Sequence, residues 1–212
     1  MATRPAYLIH NGKVVRQDYE FTWISGLSAS QKQKCALSLH EAIRCTDASA
    51  NVLEVSTKSN VPLGVTMSAF NLMLDGFHLE NVFQSGKVFA YGGPYPDLLY
   101  KHPREAKHEP RLRTSGELVG FRYQGVDFPT MPQTLFYDYI YIKAVQQSLT
   151  PDEIHQILDY NYFTDIEFNP AKSINTQAKT AAEIRLMLEL YGETPEMDAD
   201  EFLRFHKDYV VA

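Results

Sequence analysis

Cysteine is almost absent from the 212 residues: Cys35 and Cys45 are the only two. Both fall within one predicted helix, where ten residues separate them by about 15 Å. A disulfide needs Cα atoms within about 7 Å, so this pair is expected to stay as two buried or half-buried thiols. Neither cysteine has His or Cys neighbours at zinc-ligand spacing, so no metal site is expected. Apolar runs approaching the roughly 20 residues of a membrane span are also missing. The first residues, MATRPAYLIHNGKVV, lack the apolar stretch and cleavage pattern of a secretory signal, and a cytoplasmic location is the expectation. Gly92-Gly93-Pro94 has neither the strand nor the Lys-Ser/Thr of a phosphate-binding loop, and no nucleophile-elbow motif occurs. Cofactor chemistry is therefore not called for. The net charge of −6 argues against a general nucleic-acid binder, which carries a basic surface.

What is present is an apolar fraction of 44% and an aromatic fraction of 12%, enough for a substantial core. The length suits one domain over 1–212, with an N-terminal hairpin and helix (1–50), a core (52–190) and an acidic tail (193–212). His10-Asn11-Gly12-Lys13 predicts a tight turn between two short strands. Ser28 or Ser30 caps a predicted helix running to about Arg44, with Ala36, Leu39 and Ile43 on one face. Val52–Ser56 alternates as a strand, followed by a loop with Pro62 and Gly64. Leu79–Ala90 reads as a helix ended by Gly92-Gly93-Pro94. Leu118–Tyr123 and Val126–Phe128 form a hairpin turning at Gln124-Gly125. Helices are predicted at Thr134–Gln147, after the Thr150-Pro151-Asp152-Glu153 cap, at Ala178–Leu190, and briefly from Asp198 to Phe205. Helices outnumber strands without regular alternation, which predicts an α+β fold with a small sheet.

The predicted helix from Leu79 carries Glu80, Gln84 and Lys87 at i, i+4 and i+7, one face in a helix. Such a stripe suits either a polar pocket or a solvated salt-bridge face. Lys101–Arg113 is basic within an acidic chain and is read either as a solvated, turn-rich loop or as a local anion site. Trp23 and the aromatic run from Phe136 to Tyr141 are read as core.

Glu80-x-x-Phe83-Gln84-x-x-Lys87 resembles the E-x-x-[FY]-Q-x-x-K segment of NADAR (YbiA-like) proteins. Ser68-Ala69-Phe70-Asn71 sits where that family has an F-S-N-F-like loop. Asp165-Ile166-Glu167-Phe168-Asn169 resembles its D-x-x-W-G element, with Phe168 and Asn169 replacing Trp and Gly. Lys172-Ser173-Ile174-Asn175 loosely matches a G-K-N-like turn, and Arg104-Glu105-Ala106-Lys107 an E-A-K stretch. The general likeness covers roughly Val52–Leu190. The phrases QKQK, GGPYPDLL, REAK, TLFYDYIYI and FTDIEFNPAKSINTQA are similar to the NADAR antitoxins paired with DarT-type toxins, which ADP-ribosylate guanine in DNA.

The resemblance implies a mostly helical NADAR domain and an antitoxin that hydrolyses ADP-ribose from guanine, with ADP-ribosylated DNA as substrate and ADP-ribose as product. It points to Lys87 as a Schiff-base nucleophile and Glu80 as general acid and base. In a non-covalent route Glu80 and Asp165 stabilise an oxocarbenium-like state and Lys87 only holds substrate. Phe70, Tyr91 and Phe168 are candidates for stacking. Ser68, Asn71, Gln84, Asn169 and Asn175 are candidates for binding sugar hydroxyls, and Arg104 and Lys107 for the diphosphate. Two other readings stand beside it: an N-glycosidase of phosphorylated ribosylamines in riboflavin synthesis, and a non-catalytic protein that binds ADP-ribose or the toxin.

Overall fold

The computed structural model describes residues 1–26, 28–171 and 173–211. The fold is α+β, as the sequence predicts. Strands β1 (Ala2–His10) and β2 (Lys13–Phe21) pair antiparallel in one register from Ala2↔Phe21 to His10↔Lys13. Both strands are nine residues long, longer than predicted. Their turn places Asn11 at φ 52° and Gly12 at φ 71°, the left-handed conformations that Asn-Gly accepts at least cost. Helix α1 (Ala29–Thr46) starts at Ser28, whose Oγ accepts from Gln31 N–H while the Gln31 amide accepts from Ser28 N–H.

Strand β3 (Val52–Glu54) runs parallel to β9 (Tyr162–Thr164), and β9 lies antiparallel to β1, giving the sheet order β2-β1-β9-β3. Period-two alternation splits its side chains between two cores. Ala6, Val52 and Tyr162 pack with Leu39 and Ile43 of α1, whereas Tyr7, Leu53 and Phe163 join the larger core. That core is built on α6 (Leu135–Ser148) and α8 (Gln177–Tyr191). Helix α9 (Ala199–Tyr209), capped by Asp198 and Glu201, buries Phe202 and Phe205 in it. The acidic tail is thus part of the packed fold.

Between β3 and α6 the chain builds the region that matters for function. Pro62 and Gly64 lie in a short helix α2 (Pro62–Thr66), not a loop. Strands β4 (Met73–Leu74) and β5 (Phe77–His78) then lead into α3 (Leu79–Ser85). The predicted helix Leu79–Ala90 is broken: after Gly86 the chain becomes strand β6 (Lys87–Phe89), paired antiparallel with β7 (Leu118–Tyr123). Gly92-Gly93-Pro94 follows that strand and ends no helix. The predicted β7–β8 hairpin forms as expected, with β8 at Val126–Phe128. A 3-10 turn (Pro96–Tyr100) precedes α4 (Pro103–Lys107) and α5 (Arg111–Thr114) in the segment expected to be turn-rich. The Thr150 cap opens α7 (Pro151–His155).

Cys35 is buried and Cys45 exposed, correcting the expectation that both are shielded; both are free thiols. Trp23 is half-buried, packed against the edge of the smaller core, with Arg4 and Lys32 at 5.3 and 4.5 Å from its ring centre. Within the aromatic run of α6, Phe136 and Tyr141 are core residues, whereas Tyr137 and Tyr139 are only partly covered.

Candidate functional site

The break at Gly86 changes how the central lysine is presented. Glu80 and Gln84 do share a face of α3, and Gln84 Nε2 donates to Glu80 Oε1 at 2.7 Å. Lys87, by contrast, leaves from the first position of β6. The three do not form one helical stripe, because the strand pairing to Phe121 and Gly120 outcompetes helix continuation through Val88. Lys87 Nζ lies 4.7 Å from the centre of the Phe83 ring. Among the described residues it makes no hydrogen bond or ion pair. Burial pushes its pKa down; the Glu80 charge opposes this and Lys107 adds to it.

Lys107, on α4, sits 3.9 Å from Glu80 Oε2. The 3-10 turn that leads into α4 is held against α3 by Asn81, whose Nδ2 donates to the carbonyls of Leu98 and Lys101, each at 2.7 Å. Asn81 is buried and was not singled out from sequence; no motif distinguishes it from an ordinary helix-face amide. Much of the surrounding basic charge is spent internally. Lys101 pairs with Glu109 at 2.5 Å, and Arg111 with Glu109 and Asp97 at 2.8 and 2.5 Å. Arg104 is exposed and makes no ion pair among the described residues.

Phe83 stacks on Phe121 and meets Tyr137 edge-on at 5.5 Å. The Tyr137 phenol is pushed well above its ordinary range by burial and by the charges of Asp165, Glu80 and Asp138. Tyr137 is therefore within electrostatic reach of two of the candidate carboxylates, which its reading as core from the aromatic run did not anticipate.

Asp165 follows β9 directly. Its Oδ1 accepts from the N–H groups of Glu167 and Phe168 at 3.0 and 3.1 Å. Burial, with Glu54 next in weight, raises its pKa well above the carboxylate range. Phe168 is buried, so it is not an open stacking platform. Asn169 turns its Oδ1 onto Ala171 N–H at 3.0 Å, the local capping role of loop asparagines. Asn71 is similarly occupied, donating to Val65 carbonyl at 2.7 Å. Asn175 is half-buried. Lys172 lies outside the described residues.

The loop before β4 is tied to α8, since Gln177 Oε1 accepts from Ala69 N–H at 2.6 Å. Beside that tie, Phe70 is 69% exposed, an unpacked aromatic. Tyr91 is 85% exposed at the turn closed between Phe89 and Gly92, just beyond β6. The hydroxyls of Ser68 and Thr176 and the carbonyl oxygen of Gln84 are buried without hydrogen-bond partners among the described residues. Buried polar atoms are normally satisfied, and orphans of this kind mark a ligand or water position.

A second polar cluster lies under α9. Lys179 Nζ donates to Asp138 Oδ2 at 2.6 Å and Thr134 Oγ1 at 3.0 Å, and also to Glu183. His206 Nε2 is 3.2 Å from Asp138 Oδ2. Asp138, Glu183 and His206 are close enough to share a cation, and the Lys179 ammonium fills that role. These residues carried no sequence motif. Their partners are brought together only by helix packing.

Among the described residues no helix is long and apolar enough to cross a membrane. An α+β scaffold carrying this glutamate, glutamine and desolvated lysine is that of a NADAR protein. The chain belongs to the family of DarT1-associated NADAR antitoxins, whose model matches residues 2–211. The match includes the first fifty residues and the tail, which the resemblance read from sequence left out. It assigns the chain an antitoxin role and an association with DarT1. No curated protein matches the chain.

Proposed function

We propose that the chain is an ADP-ribosyl hydrolase that frees guanine bases of DNA from ADP-ribose by cleaving the N-glycosidic bond. The observation that carries this reading is the desolvated Lys87 amine on the Phe83 ring, with its pKa lowered, beside Glu80. A surface salt-bridge lysine would show the opposite: an exposed ammonium held by its partner. A lysine whose charged form is disfavoured is more readily available as a nucleophile.

In this mechanism the ribose C1–O4 bond opens as O4 takes a proton and the guanine nitrogen's lone pair forms a C1=N iminium. The Lys87 amine adds to C1. The guanine nitrogen leaves as a neutral amino group after taking up a proton, and C1 remains double-bonded to Nζ. Water then adds to C1, Nζ departs as the amine, and the released ADP-ribose closes its ring. Asp165, which burial favours in its protonated form, suits the acid that protonates O4. Glu80 suits the base that accepts the proton from the incoming amine, hands it to the departing guanine nitrogen and then accepts one from the attacking water, held in place by Lys107 and Gln84. This division spares Glu80 the protonation of O4, so it can start as the base beside the lysine. Phe70 and Tyr91 are exposed aromatics suited to stacking on bases, and Arg104, without an ion pair among the described residues, suits a phosphate.

The test is incubation of the purified chain with an oligonucleotide ADP-ribosylated on guanine. Free ADP-ribose is expected from wild type and not from Lys87→Ala. Borohydride is expected to leave a permanent adduct on wild type during turnover. Release without any adduct would replace the covalent route by the carboxylate-only one. No release from folded protein would overturn the DNA assignment and turn attention to phosphorylated ribosylamines. Toxin neutralisation retained in full by Lys87→Ala would favour a binding role.

A further inference from the structure

Glu54 is a buried carboxylate that the mechanism above leaves unused. It ends β3 opposite Thr164 of β9, on the α1 face of the sheet. Its Oε1 accepts from Ser56 Oγ at 2.6 Å and from Ile166 N–H at 2.8 Å, and its Oε2 accepts from Thr164 Oγ1 at 2.7 Å. Two of these three donors belong to the residues on either side of Asp165. Glu54 and Asp165 are therefore fastened to the same short stretch of chain.

The two carboxyls are served unequally. All of Glu54's bonds are from donors, and both of its oxygens are used. Asp165 receives two backbone N–H groups on Oδ1 only, and Oδ2 has no partner among the described residues. Two buried carboxyls in electrostatic contact do not both ionise. Donors to a carboxylate favour its charged form, so the charge falls to Glu54 and the proton to the unpartnered Asp165 Oδ2. From these bonds we propose that Glu54 is a positioning residue that keeps the site's proton on Asp165, ready to be donated to substrate. The inference rests on the reading of Asp165 as the acid.

Neighbouring charges leave this division intact. On α1, His40 Nε2 lies 2.9 Å from Thr164 Oγ1 and 4.0 Å from Glu54 Oε2. Burial, with Arg44 adding to it, pushes His40 down to about 4, so the imidazole is neutral and does not cancel the Glu54 charge. Its N–H donates to Thr164, whose own hydroxyl is thereby directed at Glu54. In the loop after β3, Lys58 is 3.8 Å from Glu167, which also accepts from Thr57. That cation is taken up by Glu167, a further acid close in the chain to Asp165. On α6 the facing groups are the Tyr137 and Tyr141 phenols, both raised well above their usual range by burial and hence uncharged. Burial raises Glu54 as well, its three donors opposing the shift.

The experiment is a carboxyl-carbon NMR titration of the full chain labelled in aspartate, with the Asp165 signal assigned by its loss in Asp165→Asn. In wild type the signal is expected to remain that of an acid through neutral pH. In Glu54→Gln it is expected to titrate at least about one pH unit lower, because the like charge is gone. The alkaline limb of the guanine–ADP-ribose cleavage profile is expected to fall with it, since activity is lost as pH rises through the pKa of an acid that must stay protonated. Should Glu54→Gln not fold, Thr164→Val removes one donor from Glu54 and shifts the proton toward it. The same downward displacement of the Asp165 titration is then expected. An unmoved Asp165 titration in a folded variant overturns the proposal, as does an ionised Asp165 in wild type at pH 7. Because the titration needs no substrate, its outcome stays readable if the DNA substrate assignment fails.

Discussion

Replacing Gly86 by Ala tests whether the α3–β6 junction is fixed by contact or merely by flexibility. Gly86 has an ordinary helical φ of −75°, so no backbone strain opposes the change. Its N–H donates to Val82 and its carbonyl accepts from Arg122 N–H at 2.7 Å. Loss of unfolded-state freedom alone would make Ala more stable by about 0.4–1 kcal/mol. Against this, an added Cβ would stand 2.9 Å from the Arg122 carbonyl oxygen and 2.9 Å from Phe136 Cζ. Neither neighbour can retreat easily. The carbonyl belongs to strand β7, and the Phe136 ring is stacked on Phe121 at 4.6 Å and packed by Phe128 at 5.2 Å. Overpacking of this kind costs about 1–3 kcal/mol, so a net loss of roughly 1–2 kcal/mol is expected. For a chain of this size that lowers Tm by about 2–8 °C. Urea unfolding should give a lower midpoint at unchanged slope. A variant as stable as wild type, or more so, would refute the steric reasoning and show that the strand begins at Lys87 for some other cause.

Two further outcomes follow from buried polar groups. Lys179→Met is expected to destabilise the fold by about 3–5 kcal/mol, because it leaves the fully buried Asp138 and Glu183 facing each other without a cation; a urea titration showing less than about 1 kcal/mol lost would mean that His206 alone balances the pair. Asn81→Ala frees the carbonyls of Leu98 and Lys101 and is expected to cost about 1–3 kcal/mol. It should also speed amide exchange in α4 ahead of global unfolding, and uniform exchange would contradict a clamp.

The elements that were legible from the sequence are those whose determinants are local. Asn11-Gly12 and Gln124-Gly125 fixed two hairpins, and Ser28, Thr150 and Asp198 marked three helix starts through their capping side chains. The α3 boundary was not legible because helical periodicity runs on through Lys87, while the reason to stop is a strand more than thirty residues away. Lys87, Glu80 and Asp165 were readable from motif spacing as candidates. Tyr137 and Glu54 were not, because their significance comes from neighbours on other elements. Phe168 shows the reverse: an aromatic at the right motif position that the fold buries.

Strand β1 bonds to β2 on one side and to β9 on the other, and roughly 150 residues separate His10 from Tyr162. At the synthesis rate of about 5–20 residues per second, the hairpin waits on the order of 10–30 s for its second neighbour. During that wait a row of free N–H and C=O groups on β1, flanked by Tyr7 and Leu8, is open to whatever extended chain comes near. Strand β3, made after the hairpin, waits for the same partner, and with it the pairing of Glu54 to Thr164. A ribosome partway through the message therefore carries a chain with an open sheet edge. Neighbouring nascent copies on one polysome are the most available chains to seize the open edge during that interval.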